Sequence, residues 1–242
     1  MTNCRKVNFG SAYVAFLEFK FLFCYLEIMK LIFATNNQHK VDEVRSILGK
    51  EFEILTLKEA GINIDIPEPH DTLEENATEK ARVIYQLTKT NPIAIGCFSE
   101  DTGLEVEALN GEPGVKSARY AGEESFDKLR TFDKNIEKLL AKLKDLSNRK
   151  ARFRTIISLI IDGIEYLFEG ISDGVIINEK RGKLGFGYDP VFVPDGSTRT
   201  FAEMELLEKN QYSHRKKAVE KLVVFLTERT AKESHPNPKH KT

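Results

Sequence analysis

Glu100 and Asp101 stand side by side in the stretch SEDTGLEV, Ser99 to Val106, and are followed at once by the hydroxyl of Thr102 and by Gly103. An apolar run from Pro92 to Phe98 precedes them, so the pattern predicts a buried strand that delivers two acids to an exposed turn. Adjacent carboxylates repel one another unless a divalent cation, a proton or solvent relieves them. The stretch is therefore either a metal site or an ordinary acidic turn. A second group is TNNQHK, Thr35 to Lys40, between a strand pattern and a helix pattern. Free backbone N–H groups and the helix dipole would favour phosphate there, with Lys40 adding charge. Asn36 and Asn37 would equally serve as turn and cap residues.

Two more groups lie near the C-terminus. In GKLGFGYDPVFVP, Gly182 to Pro194, glycines flank Phe186 and Tyr188, whose rings offer faces for a nucleobase, and Asp189 could accept hydrogen bonds from ring N–H groups. The same aromatics beside a proline-bounded strand also suit a core. In EKNQYSHRKKA, Glu208 to Ala218, Ser213 reads as the cap of a last helix that gathers Lys209, His214 and Arg215 at its start. Cations there oppose the helix dipole, which points to an anionic or polar ligand, or else to an exposed basic surface. Lys116 and Arg119, in GEPGVKSARYAG, are either phosphate contacts or solvated.

The elements that would position these groups alternate along the chain. Lys30–Thr35 and Phe52–Leu57 read as strands, and Val41, Val44, Ile47 and Leu48 share one face of a helix between them. Glu68 lies in the acidic loop IDIPEPHD, from which it could reach Glu100 and Asp101. Thr72 and Glu75 form a capping-box pattern ahead of a stripe, Leu73, Ala77, Ala81, Ile84 and Leu87, that predicts a helix to about Thr88. Asn110-Gly111 marks a turn, and Phe126 to Leu143 a further helix. ARFRTIISLII and IEYLFEGI flank Asp162-Gly163 and predict a hairpin, with Gly174–Ile177 as a separate short strand.

At 242 residues the chain is within the range of one large α/β domain, 41% hydrophobic and 30% charged residues are the composition of a soluble globular protein, and a net charge of −1 gives no sign of non-specific nucleic-acid binding. Cys4, Cys24 and Cys97 have neither metal-ligand spacing nor an even number for disulfides, which suits a reducing, cytoplasmic setting. Residues 1–28 are aromatic-rich but broken by Glu18, Lys20 and Glu27, which fits a membrane span poorly, and no clean small-residue cleavage site follows, so neither a span nor a signal peptide is expected. They read as an extension before a core of residues 29–229, and residues 230–242 as a disordered tail.

Taken together, ATNNQHKVDEV, SEDTGLEV, GEPGVKSARYAG, FGYDPVF, and AEM followed by EKNQYSHR resemble the inosine/xanthosine triphosphate pyrophosphatases, in the same order, over about Met29 to Leu226. The resemblance implies an elongated mixed sheet with flanking helices, two lobes around a central cleft, and a homodimer. It implies Mg²⁺-dependent hydrolysis of inosine and xanthosine triphosphates to monophosphate and pyrophosphate. Asp101 matches the essential acid that holds Mg²⁺ and activates water, and Glu68 the second metal ligand. Thr35, Asn36, Asn37 and Lys40 match the phosphate turn, and Thr102 a substrate contact. Phe186, Gly187, Tyr188 and Asp189 match the base-binding segment, and Lys209, His214 and Arg215 the C-terminal substrate group. Lys80 and Arg119 are further triphosphate contacts on this alignment. Asn36 stands where the family usually has Gly, so a left-handed turn is expected there. The rivals are a pyrophosphatase for other modified nucleotides and a nucleotide sensor without turnover.

Overall fold

The computed structural model describes residues 28–90, 94–122 and 128–234. The extension before residue 28, the start of the apolar run at Pro92, the first turn expected from Phe126 and the tail after Ser234 fall outside these residues.

Alternating apolar positions on β1 (Met29–Phe33) bury both faces of the strand. Leu31 and Phe33 point into one cluster and Ile32 into another. β1 pairs in parallel with β2 (Phe52–Thr56) on one side and with β3 (Gly96–Val106) on the other. β3 continues antiparallel along its whole length with β5 (Lys150–Ile161). The predicted hairpin joins β5 to β6 (Ile164–Ile176) through Asp162 and Gly163, whose φ values of 51° and 76° suit a tight primed turn. β6 is a single long strand, so Gly174–Ile176 is its end, paired with β7 (Phe192–Pro194), and not a separate strand. A two-residue strand, β4 (Pro113–Gly114), returns onto β3 after the turn at Asn110-Gly111. The result is a seven-stranded mixed sheet in the order β2-β1-β3-β5-β6-β7, with β4 on the free side of β3.

Helices cover both faces. α1 (Gln38–Ile47) and α5 (His214–Ser234) pack on the face of Leu31, Phe33 and Phe98. α2 (Leu73–Thr88) covers the opposite face, where Ala81 and Ile84 meet Ile32, Cys97 and Ile160. Thr72 caps α2 as predicted, accepting from the Glu75 N–H while its hydroxyl bonds the Glu75 carboxylate. Leu87, counted in the apolar stripe, is instead exposed. α3 (Lys128–Leu143) lays Ile136, Leu139 and Leu143 over the far half of β3 and β5. A one-turn helix, α4 (Leu206–Lys209), precedes α5, and α5 starts where expected, with Ser213 accepting from the Lys216 N–H. α5 runs to Ser234, past the expected tail boundary. Among the described residues no helix is long and apolar enough to cross a membrane.

The exposed turn expected at Glu100–Gly103 does not exist. β3 runs straight through the acids, which are 1% and 6% exposed. The polar run fits inside a sheet because β1 ends opposite Phe98 and β4 begins only at Leu104, leaving Ser99–Gly103 paired on the β5 side alone. Gly103 is needed at the edge of that gap, since a Cβ there would stand 2.7 Å from the Gly114 carbonyl oxygen.

At Gly170 on β6 the start of α5 comes so close that a Cβ would collide with the His214 carbonyl and lie 2.6 Å from the Ala218 nitrogen. Both obstacles are backbone and cannot swing away. Gly170→Ala is therefore expected to lower stability by about 1–3 kcal/mol, read as a reduced denaturation midpoint at unchanged slope. Wild-type stability in this variant would show that α5 is not held as described.

Candidate active site

The gap in the sheet opens into a cavity of about 430 Å³, and it is lined by Glu68, Asp101 and Thr102 and by every residue matched to the phosphate turn, the base-binding segment and the C-terminal group. They arrive from five segments: the β1–α1 turn, the Glu68 loop, β3, the Phe186 segment and the α4–α5 junction. The carboxyl ends of parallel strands in an open α/β sheet are where ligands generally bind.

The pleat of β3 decides how the two acids behave. Successive side chains point to opposite faces. Cys97, Ser99 and Asp101 therefore face α2, whereas Phe98 and Glu100 face α1 and α5. The neighbouring carboxylates do not share a site, contrary to the reading that pairs them on one metal.

On the α5 face Glu100 is consumed by protein cations. Arg215 Nε and Nη2 donate to its two oxygens, each at 2.7 Å, and Lys40 Nζ lies 3.1 Å from Oε1. Burial would raise the Glu100 carboxyl, but Arg215 and Lys40 outweigh it and hold it well below the usual carboxylate range. Arg215 also pairs with Glu43 of α1, and Glu43 accepts from Lys209 at 2.8 Å. Lys209 reaches on to Asp189 at 2.7 Å. Thus the anions served by the cations at the start of α5 are, in this state, carboxylates of the protein itself. Sequence reasoning misses Glu43; its one signal is an acid placed at the border of the apolar stripe, between Val41 and Val44.

On the α2 face Asp101 meets different company. Lys80 Nζ stands 3.5 Å from Oδ1 and also pairs with Glu68. Thr102 N–H donates to Oδ1 at 3.1 Å, and Asn76 Nδ2 to Oδ2 at 3.4 Å. Burial raises the Asp101 carboxyl above the ordinary aspartate value, Glu68 adds to the rise, and Lys80 only partly offsets it. Glu68, though also raised by burial, is brought below its usual range chiefly by Lys80. Arg119 donates to the Glu68 carbonyl at 3.1 Å and so ties that loop down from the other side. Lys116 is exposed and is absent from the cavity wall.

The remaining predicted residues divide. Asn37 caps α1, accepting from the His39 N–H at 3.1 Å, while Thr35 Oγ1 accepts from the Asn37 N–H. Asn36 donates to the Ile64 carbonyl at 3.1 Å. Asn36 needs no left-handed backbone: among the described non-glycine residues, positive φ occurs at Asn110 and Asp162. Gly187 does use it, at φ 61°. Phe186 is partly exposed, stacks on His39 with centroids 5.2 Å apart, and has Lys209 Nζ 5.3 Å from its ring. Tyr188, in contrast, belongs to the core at 3% exposure and donates its hydroxyl to the Ser117 carbonyl at 2.9 Å. Asp189 is equally buried, with Oδ2 occupied by Lys209 and by the Phe186 N–H. His214 stacks on Phe153 at 4.7 Å. Burial, reinforced by Arg215, pushes its pKa well below 6.5, so it is neutral at pH 7, and its Nδ1 has no protein partner. Asn135 of α3, also missed in the sequence, binds the carbonyls of Ser117 and Ala118 and the N–H of Ala121, fixing the loop that carries Arg119. Among the described residues no group of three or more His, Cys, Asp or Glu side chains is arranged to hold a metal. What exists is a pair of carboxylates, Glu68 and Asp101, converging on one cation, the Lys80 ammonium.

Comparison with known proteins gives a consistent result. The model described as the Ham1 family matches residues 31–225. A dITP/XTP pyrophosphatase of Porphyromonas gingivalis is 51% identical over 198 residues, covering 81% of this chain and 97% of that one. Another, of Christiangramia forsetii, is 48% identical over 199 residues, covering 82% of this chain and 100% of that protein. Among solved structures, the Ham1 protein of Staphylococcus aureus has a TM-score of 0.71 at 36% identity, covering 83% of this chain and 99% of that one. A HAM1 protein from Coxiella burnetii gives 0.72 at 35%, with the same coverage of both chains.

The Glu43 carboxyl yields a test of the buried network. Burial works to raise it, but Arg215 and then Lys209 outweigh burial and lower it from 4.5 to about 2. A depressed folded-state value stabilises fully above the unfolded value and is lost as pH falls through the folded one. Glu43→Gln is expected to cost roughly 3 kcal/mol at pH 7. Between pH 4.5 and about 2 the variant should lose less stability than the wild type, as read by urea titrations at several pH values. Parallel pH curves for the two proteins would refute the assignment.

Proposed function

Because the chain belongs to the Ham1 family, we propose that it hydrolyses inosine and xanthosine triphosphates, and their deoxy forms, to the monophosphate and pyrophosphate, removing noncanonical purines from the nucleotide pool. The observation that carries this reading is the one cavity in which the Thr35–Lys40 turn, an acid with a raised pKa and the partly exposed Phe186 ring meet.

A triphosphate brings close to four negative charges, which cations must offset before water can approach phosphorus. Glu68 and Asp101 fit a divalent ion. They are hard oxygen donors already facing one cation, and Mg²⁺ is usually held by one or two carboxylates together with substrate phosphates and water. When bound, Mg²⁺ would supply charge neutralisation at the triphosphate. The chain does the rest. Lys40 at the β1–α1 turn, Lys80 and Arg119 all line the cavity and would meet the phosphates there, Lys40 exchanging its Glu100 partner for them. Asp101 takes the proton of the attacking water. Its raised pKa makes it a better base than Glu100, whose charge is already bound by Arg215 and Lys40. The oxygen–phosphorus bond forms at the α-phosphorus, the bond to the bridging oxygen breaks, and pyrophosphate leaves.

Selection of the base falls to Phe186 and His214. A 6-oxo group accepts a hydrogen bond, which the N–H of a neutral imidazole can donate; the amino group of adenine would leave that donor facing another donor. The homodimer implied by the sequence resemblance belongs to the same proposal.

The test is pyrophosphate release from inosine, xanthosine, guanosine, adenosine and thymidine triphosphates, with Mg²⁺ and with chelator. Metal-dependent turnover of the first two is expected, reduced about 10²- to 10⁴-fold in Asp101→Asn. Tight binding of these nucleotides with no turnover by the wild type would establish the sensor instead.

A further inference from the structure

The two acids of the site come from elements far apart in sequence, Glu68 from a loop and Asp101 from β3, and something must hold them in register. We propose that Asn76 is the positioning residue that does so, an inference that rests on the proposed hydrolysis for its functional consequence but not for its geometry.

Asn76 lies in the first turn of α2 and is 0% exposed. Its side chain pairs with the backbone of His70 through two bonds. Oδ1 accepts from the His70 N–H at 3.0 Å, and Nδ2 donates to the His70 carbonyl at 3.2 Å. The second hydrogen of Nδ2 is directed to Asp101 Oδ2 at 3.4 Å. One amide thus ties the loop two residues beyond Glu68 to the carboxylate on β3. The amide can stand only one way round. Reversed, its oxygen would face two acceptors, the His70 carbonyl and the Asp101 carboxylate.

The rest of α2 makes this grip rigid. Cys97 Sγ donates to the Ala81 carbonyl at 3.3 Å, and Ser99 Oγ to the Ala77 carbonyl. Together with Asp101, these alternate residues of β3 fasten the strand to α2 at three levels. Lys80 lies one helical turn beyond Asn76, on the same face, so both side chains reach the acids from a single support. Asn fits the role because it supplies one acceptor and two donors without a charge. A carboxylate there would confront Asp101 with a like charge, and an apolar side chain would leave the His70 N–H unpaired.

Asn76→Ala, with Asn76→Ser as the second variant should the first not fold, is compared with wild type by three measurements. These are kcat and KM on inosine triphosphate, Mn²⁺ titration of the substrate-free protein, and amide hydrogen exchange at His70. Loss of an outer-shell partner predicts kcat and Mn²⁺ affinity each reduced about 10- to 100-fold, KM within about threefold, and faster exchange at His70. Correctly folded variants with wild-type kcat and Mn²⁺ affinity would overturn the proposal, whatever their melting temperature. Should the wild type hydrolyse none of the nucleotides while the variants still lose Mn²⁺ affinity and His70 protection, the hydrolytic reading falls and the positioning role stands.

Discussion

β3 must bury two consecutive carboxylates without letting them meet. The pleat solves this by sending Glu100 and Asp101 to opposite faces of the sheet, where cations hold the first carboxyl low and burial holds the second high. Much of the remaining structure follows from the first half of that division. Glu100 at 1% exposure needs cations, which come from Arg215 at the start of α5 and Lys40 at the start of α1. Arg215, itself 1% exposed, then needs a second acid, and Glu43 supplies it; Glu43 in turn engages Lys209, and Lys209 engages Asp189. Replacing such a network with apolar residues is often neutral or better for stability, so its value lies elsewhere. It links α1, β3, the Phe186 segment and α5, four of the supports on which the cavity wall is built.

The second half of the division sets how Asp101 holds its proton. A buried carboxylate beside a like charge has a raised pKa, and here Lys80 moderates the rise without cancelling it. Had the strand carried both acids to one face, each would have competed for the same cations. Glu100 spends its charge on the scaffold, and Asp101 is left for the role of base proposed above. The gap between the end of β1 and the start of β4 matters equally, because it exposes the edge of β3 to the cavity while the acid side chains stay anchored.

Most of the fold is legible in the sequence because its signals are local. Asp162-Gly163 specifies a turn through backbone conformation alone, and Thr72 with Glu75 specifies a helix start through two short-range bonds. The candidate site is legible as a set of residues in the sense that the matched motifs converge on one cavity. Their partners are not, because partners are set by long-range packing. Glutamate beside aspartate reads as a turn until β5 is seen to pair with both. Arg215 looks free to bind a ligand because Glu43 and Glu100 lie 172 and 115 residues away in sequence. A local signal does exist for the helix-borne polar residues: Asn76 and Lys80 interrupt the apolar face formed by Leu73, Ala77, Ala81 and Ile84, and both are buried.

Tyr188 shows how the same logic bears on the proposed base contacts. Its ring packs in the core and its hydroxyl holds the Ser117 carbonyl, a group that Asn135 grips from the other side. A flat aromatic next to glycine invites a stacking role, yet a ring at 3% exposure with its hydroxyl committed has little face to offer. The loop it fixes, however, carries Arg119 to the Glu68 carbonyl. Tyr188 therefore steadies the loop that carries Arg119 by way of the backbone, and the base contact proposed above falls to fewer groups than the motif suggests. Phe186 keeps a partly open ring, and His214 remains neutral with an unpartnered buried nitrogen. For the proposed activity a neutral imidazole would suit discrimination because it costs little to desolvate, and as a donor it would reward an acceptor at the 6-position of a purine far more than a second donor.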